Sequence, residues 1–250
     1  MARALVTGAG QRLGQAMAVA LAQRGYDVAV HYATSVEGAA ETVAAIEACG
    51  QTSVAVQADL LDETQTKALF TESVAALGGP ITCLINNASI FEDDSVQSST
   101  REGWDRHMES NLRAPYVLTQ LMAAQGLAAA KDAQGEPVAA GLVVNMLDQR
   151  IRNLTPEFST YTLAKMGLWA LTQTAAQGLA PHIRVNGIAP GPTLQGAHQD
   201  AADFAAERAG TVLGRGVGVD DITAALGYLL DAKAVTGQAI CVDGGQHLRW

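Results

Sequence analysis

Ala4-Leu5-Val6 is a short apolar run that stops at Thr7-Gly8, crosses a glycine loop reading TGAGQRLG, and gives way to a helical pattern from about Leu13 to Arg24. That order of strand, glycine loop and helix leaves few folds open. The loop amides and the helix N-terminus can hold a phosphate. Gly8 suits a tight turn, and Gly14 suits close packing of helix on strand. The loop is not a G-x-G-x-x-G, because the spacing from Gly10 to Gly14 is wrong.

The alternation continues to the end of the chain. Strands are predicted at 27–32, 53–57, 81–85, 141–147, 183–188 and 239–242, and with the first run they make seven. Helices are predicted at 36–48, from near Glu63, over a long stretch from Trp104 to Ala129, at 157–179 and at 220–230. The KDAQGE segment reads as a solvated loop with no motif. The polar, Gly-punctuated stretch Gln195 to Gly218 reads as a mobile substrate loop and lid helix, within a substrate region of about 190–218. No internal linker or repeat divides the sequence. Alternating strands and helices argue a single α/β domain over 1–250, a Rossmann fold with a doubly wound seven-stranded parallel sheet and helices on both faces.

With 250 residues and 48% hydrophobic residues the chain can bury a full core. A net charge of -9 argues against nucleic acid or an anionic membrane as a partner. The cysteines Cys49, Cys83 and Cys241 form no close-spaced motif and read as reduced structural thiols. No spacing suggests a metal site. A strand pattern begins by Arg3, so no secretory signal is expected there, and no apolar run is long enough to span a bilayer. The expectation is a soluble cytoplasmic protein.

Two features point to chemistry. Tyr161 and Lys165 stand four apart in a helical pattern, which puts them on one face. An ammonium beside a phenol should lower its pKa from about 10 and make a proton donor that works near neutrality. In NAD-binding Rossmann folds an acid about 20 positions past the glycine loop holds the ribose 2'-hydroxyl. Here that position is Tyr32, with His31, Thr34 and Ser35 around it and no acid between Val28 and Val36. Such a site tolerates a 2'-phosphate and predicts NADP(H) as cofactor.

These residues, in this order, resemble the short-chain dehydrogenase/reductase family over nearly the whole chain. The carriers are the glycine loop, Asn86-Asn87-Ala88, Asn111, Tyr161 with Lys165, and Pro190-Gly191. The resemblance implies cofactor contacts from Gly8, Arg12, Leu13, Gly14, Asp59, Leu60, Asn87, Ala88, Ser89, Tyr161, Lys165, Pro190 and Gly191. Asp59 would contact the adenine, or equally would cap the following helix. Asn111 would hold a water that links Lys165 to solvent. A homotetramer is also implied, with Ala-rich helices around Asn111 and Tyr161 packing between subunits and Arg249-Trp250 reaching toward a neighbouring site.

The departures from the family pattern narrow the reading. The usual serine thirteen residues before the tyrosine is Asp148. A carboxylate there cannot donate to a developing oxyanion unless protonated, but it can serve a nitrogen heterocycle. Arg12 replaces the middle glycine of Thr-Gly-x-x-x-Gly-x-Gly, Ser89 follows Asn87-Ala88 in place of glycine, and Phe91 lies two residues on. Together the four resemble the pteridine reductase branch, including the bacterial dihydromonapterin reductases, which the ending Asp243-Gly244-Gly245 with His247-Leu248-Arg249 also resembles. Phe91 would stack on a pterin, Ser89 would bond its pyrimidine edge, and Arg12 would reach a pterin oxygen and a cofactor phosphate. The reading is NADPH-dependent reduction of a dihydropteridine: dihydromonapterin, dihydrobiopterin or dihydrofolate. Asp148, Tyr161, Lys165 and Asn111 would be catalytic, with Arg12, Ser89, Phe91, Asp148 and Tyr161 on the substrate. The alternatives are a general carbonyl or 3-oxoacyl reductase and an NADP(H)-binding regulator without turnover.

Overall fold

The computed structural model describes residues 2–196 and 199–249. In chain order the elements are β1 (Ala2–Val6), α1 (Arg12–Gln23), β2 (Tyr26–Tyr32), α2 (Val36–Ala48), β3 (Ser53–Gln57), α3 (Glu63–Ala76) and β4 (Cys83–Asn86). Then come α4 (Arg101–Met108), a π-helical turn Glu109–Arg113, α5 (Ala114–Ala124), a hairpin of β5 (Ala130–Lys131) and β6 (Pro137–Val138), and β7 (Gly141–Met146). A short 3-10 turn, Gln149–Ile151, precedes α6 (Ser159–Leu179), β8 (Ile183–Pro190), α7 (Ala201–Ala209), α8 (Val219–Asp231) and β9 (Ala239–Val242).

Seven of these strands form one parallel sheet in the order β3-β2-β1-β4-β7-β8-β9. Its strands read as continuous apolar runs because both faces are covered. In β1, Ala4 and Val6 enter one core while Leu5 enters the other; in β4, Cys83 and Ile85 oppose Leu84 in the same way. Helices α1, α2 and α8 close the first core, and α3, α5 and α6 close the second. Leu5, Leu21, Leu84, Ile85 and Leu118 have no exposed surface, and each such side chain contributes about 1.5–3 kcal/mol of burial. The strand order reverses between β1 and β4. In an open parallel sheet that reversal opens a crevice at the carboxyl ends of the strands, where ligands bind.

Several boundaries differ from the sequence reading, each for a local reason. The long helix expected over 104–129 starts earlier, because Thr100 Oγ1 accepts the Gly103 N–H at 3.0 Å and caps α4. It is broken by the π-turn and ends before Gly126, which has φ +68°. The supposedly bare KDAQGE loop is the turn of the β5–β6 hairpin. There Asp132 accepts the N–H groups of Gln134 and Glu136, and Gly135 at φ +82° reverses the chain. Helix α6 begins two residues later than expected because Phe158 sits at φ +54°, outside helical space. Asp59 does not cap α3: Asp62 does, accepting the Thr64 and Gln65 N–H groups at 2.7 and 3.2 Å. Asp59 accepts the Leu61 N–H instead. The three thiols are free. Among the described residues no helix is long and apolar enough to cross a membrane.

Candidate active site

The glycine loop joins β1 to α1 at the crevice. Gly8 has φ +63°, and a Cβ on Gly14 would lie 2.1 Å from the Gly8 carbonyl oxygen, so only glycine lets α1 approach this closely. Arg12 keeps the left-handed backbone, φ +54°, at the position where the family pattern has glycine. For a residue with a Cβ this costs about 1–2 kcal/mol. Its guanidinium donates to the carbonyls of Gln195 and Leu194 at 2.9 and 3.1 Å, so Arg12 bridges the glycine loop to the chain after β8. Thr7, which the sequence reading passed over, locks the floor. Its Oγ1 accepts the N–H groups of Asn87 and Ala88 at 2.9 and 3.0 Å, while Asn87 Nδ2 donates to the Thr7 and Gly8 carbonyls.

His31 is a correction. It was expected beside a 2'-phosphate, but its ring turns into the protein and is 2% exposed. Nδ1 accepts the Gly8 N–H at 3.0 Å and Nε2 donates to Ala58 O at 3.1 Å, so neither nitrogen is left for a ligand. Burial lowers its pKa to about 4, which keeps the ring neutral and able to accept. His31 therefore supports the glycine loop from beneath. Tyr32 and Ser35 remain partly exposed and Thr34 exposed at the end of β2. Leu60 buries its side chain in the second core, which leaves only its main chain for a ligand.

Asp148 leaves the end of β7 facing Tyr161. The Tyr161 hydroxyl donates to Asp148 Oδ2 at 2.9 Å, and the Arg150 N–H donates to Oδ1 at 2.8 Å, so both carboxylate oxygens are acceptors. Lys165 lies one turn along α6, 3% exposed, and donates to Met146 O at 2.7 Å. The expected lowering of the phenol's pKa is not what the site produces. Burial pushes the Tyr161 pKa well above 10, and the charge and hydrogen bond of Asp148 push the same way; Arg150 and Ser89 pull it back. Lys165 is instead lowered to about 8, chiefly by burial, with Asp148 opposing. The phenol is thus held protonated at neutral pH.

Asn111 lies in the π-turn, a device frequent at functional sites. It is fully buried, and its amide pairs both ways with Ile90, accepting the N–H and donating to the carbonyl at 2.8 Å each. It pins the loop that carries Ser89 and Phe91. Phe91 does not present two free faces. Its ring stacks on Phe158 at 4.2 Å and meets the edge of Tyr161 at 4.7 Å. Phe158, also passed over in the sequence, is held in left-handed backbone at the start of α6 to make that stack. Gly191, after Pro190, donates its N–H to Val242 O at 2.9 Å, and a Cβ there would lie 2.6 Å from Asp243 Cα. The tail is tied down: Asn153 donates to Arg249 O, and Arg249 donates to Gly210 O. Trp250, the other half of the expected tail contact, lies outside the described residues.

A second polar cluster went unread because it joins distant segments. Glu92 N–H donates to His107 Nε2 at 3.2 Å, so His107 carries its proton on Nδ1 and donates it to Thr160 Oγ1 at 2.7 Å. The Thr160 hydroxyl then donates to Asp94 Oδ2 at 2.5 Å, and the Thr160 N–H to Oδ1 at 3.1 Å. Asp94 thereby satisfies the first turn of α6, whose preceding residue Phe158 offers no side-chain cap. Tyr161 follows Thr160 directly, and the His107 ring meets its edge at 6.1 Å. Burial lowers the His107 pKa, which preserves its acceptor nitrogen.

A glycine-loop crevice with buried Tyr161 and Lys165 and half-buried Asp148 beside it defines a dinucleotide-dependent oxidoreductase. A family model described as enoyl-(acyl carrier protein) reductase matches residues 8–247. The chain belongs to the short-chain dehydrogenase/reductase family. It is 33% identical to the 3-oxoacyl-[acyl-carrier-protein] reductase FabG of Staphylococcus aureus, over 98% of both chains. Among solved structures it is similar to FolM alternative dihydrofolate reductase 1 from Brucella canis complexed with NADP. There the TM-score is 0.90 and the identity 37%, with 100% of this chain and 95% of that chain covered. It is also similar to the promiscuous reductase LugOII, which catalyses keto-reduction at C1 during lugdunomycin biosynthesis. That match has TM-score 0.87 and 30% identity, over 99% and 98% of the two chains.

The Asp94–Thr160–His107 cluster sets the position of Tyr161 without touching the glycine loop. Thr160→Val keeps the shape and removes the hydroxyl, stranding His107 and Asp94. The expected result is a fall in kcat/KM of about tenfold, about 1.4 kcal/mol, with cofactor affinity unchanged in fluorescence titration. Unchanged kcat/KM would show that the cluster only holds the fold.

Proposed function

We propose that this chain is an NADPH-dependent reductase that converts a dihydropteridine to its tetrahydro form. Dihydromonapterin, dihydrobiopterin and dihydrofolate are the candidate substrates. The observation that carries the reading is Asp148, an all-acceptor carboxylate 2.9 Å from the Tyr161 hydroxyl, where the family resemblance expects a serine. A pterin offers an amino group and a ring N–H to such an acceptor; a ketone offers neither. The Brucella FolM similarity supports the same reading.

The residues fit an NADP(H) cofactor. Gly14 lets α1 pack closely on the loop, since a Cβ there would collide with main chain, and the amides after Ala9 at the N-terminus of α1 could hold a pyrophosphate. Tyr32, Thr34 and Ser35 put no carboxylate against a 2'-phosphate. Asn87, Ala88, Pro190 and Gly191 would flank the nicotinamide end, with Asp59 and Leu60 toward the adenine. Arg12 exchanges the carbonyls of Leu194 and Gln195 for a phosphate or pterin oxygen, a stronger, charge-assisted partner. When bound, the cofactor supplies a hydride to a ring C=N carbon. Tyr161, protonated at neutral pH, gives its proton to the ring nitrogen. Lys165, charged below about pH 8, stabilises the phenolate left behind. Asp148 orients the ring, Ser89 bonds its edge, and the Phe91–Phe158 stack forms an aromatic wall. Asn111 holds the loop on which Ser89 and Phe91 ride and supports the proton relay.

A second reading, 3-oxoacyl reduction, draws on the Staphylococcus aureus relative and the family model. A regulator without turnover is disfavoured by the intact Asn111, Tyr161 and Lys165 set. We also assign a cytoplasmic homotetramer. Trp104 on α4, Tyr116 on α5 and Leu163 on α6 are 40%, 44% and 49% exposed, and large exposed apolar side chains on neighbouring helices suit subunit contacts.

Asp148→Ser is expected to lower kcat/KM for a dihydropterin at least about tenfold, about 1.4 kcal/mol of transition-state stabilisation. NADPH affinity should hold and ketone reduction should be spared or improved. Intact dihydropterin reduction in this variant would remove the case against a general carbonyl reductase. The parent enzyme is expected to prefer NADPH to NADH in kcat/KM, and Tyr32→Asp to weaken NADPH binding; equal efficiency with both cofactors would overturn the 2'-phosphate assignment. Light scattering at micromolar protein should give four subunits, and a monomer would refute the assembly.

A further inference from the structure

Arg150 follows Asp148 by two residues. Its guanidinium lies over Phe158 at 4.9 Å and over Phe91 at 6.0 Å from the ring centroids. Its Nε is buried without a hydrogen-bond partner. The contrast with the rest of the chain is sharp. Among the described residues, Arg24, Arg101, Arg106, Arg113 and Arg215 pair with carboxylates. The remaining arginines donate to main-chain carbonyls, except Arg152, whose guanidinium lies over the Trp169 ring at 5.7 Å. Among the described arginines, Arg150 alone has a buried N–H without a partner, and it lies against two aromatic rings.

A guanidinium is always charged and carries five N–H donors in a fixed fork. Leaving such a group partly buried and unmatched is costly. The paired aromatic rings hold the guanidinium beside them, and its N–H donors are left for a partner that arrives from outside. The chain carries a net charge of -9, so this cation is not part of a generally basic surface. It sits against the Phe91–Phe158 stack that meets Tyr161, and its own main-chain N–H donates to Asp148.

We propose that Arg150 recognises an anionic substituent of the substrate, a carboxylate or phosphate carried beyond the group that is reduced. The assignment rests on the reading of this crevice as a reductase site. For a dihydropteridine, it selects an acidic side chain, as in dihydrofolate, over the uncharged polyols of dihydrobiopterin and dihydromonapterin. For an oxoacyl substrate, the same fork would take the phosphate of the carrier.

The test compares Arg150→Gln, Arg150→Lys and the parent on two substrate pairs with NADPH: dihydrofolate against dihydrobiopterin, and acetoacetyl-CoA against ethyl acetoacetate. The readout is the ratio of kcat/KM, anionic over neutral, because Arg150 also acts on Tyr161 and so influences both members of a pair. The ratio should fall at least about tenfold in Arg150→Gln, mostly through KM, and recover in part in Arg150→Lys. Added salt should lower the ratio in the parent but not in Arg150→Gln. A ratio unchanged in both variants would overturn the assignment and leave Arg150 as packing for the two phenylalanines. Turnover of the ketone pair alone would refute the pteridine reading, while the ketone ratio would still judge Arg150. Should Arg150→Gln fail to fold, or no substrate turn over, p-aminobenzoylglutamate is titrated against the NADP-loaded parent and Arg150→Lys. Equal weak binding to both would count against the proposal, and tighter binding to the parent for it.

Discussion

The hydrogen bond from Tyr161 to Asp148 is the contact on which the site turns. It closes at the end of β7, between a strand with both faces buried and a helix packed across it. Two consequences follow from its burial. The phenol keeps its proton, because ionisation would set a second negative charge beside the carboxylate in a medium that screens poorly. The carboxylate keeps both oxygens as acceptors, one from the Tyr161 hydroxyl and one from the Arg150 N–H. In the proposed mechanism Tyr161 is the proton donor, and Lys165, lowered to about 8, is the cation that stabilises the phenolate after the proton has left.

Holding that pair requires the three strand ends around it to be fixed against one another. Thr7 ties β1 to β4 through the amides of Asn87 and Ala88. Asn111 holds the next loop by its reciprocal pair with Ile90. Asp94, Thr160 and His107 anchor the first turn of α6. The strained residues cluster in the same place. Arg12 and Phe158 are the non-glycine residues with left-handed backbone among those described, and each carries a side chain that faces the crevice or its wall. Strain of this kind persists only where the surroundings over-determine it.

Much of the fold was legible because a doubly covered sheet demands continuous apolar strands, and runs such as Ala4–Val6 and Gly141–Leu147 announce it. Tyr161 and Lys165 were legible because their spacing on one helix is local, and Asp148 because the family resemblance marks the position thirteen residues before the tyrosine. The failures have physical causes. His31 reads as a loop-end polar group, but in a strand buried on both faces its direction depends on what Gly8 and Ala58 need, which lies in other segments. The Asp94–Thr160–His107 cluster joins residues 53 and 66 positions apart, beyond any local pattern. The shift of Tyr161 was misread because the i, i+4 rule finds Lys165 but not the nearer carboxylate thirteen residues back. Arg150 carries no signal in the sequence; only a comparison with its fellow arginines in three dimensions reveals its buried, unpartnered Nε.

We propose that the acceptor pair on Asp148 commits this site to a nitrogen heterocycle. The most direct test is steady-state NADPH oxidation by the unmodified protein with a dihydropterin and with a β-ketoester at equal enzyme concentration. The account expects kcat/KM for the dihydropterin to exceed that for the ketoester by at least about tenfold. Preference for the ketoester would contradict it and return the chain to the carbonyl reductases.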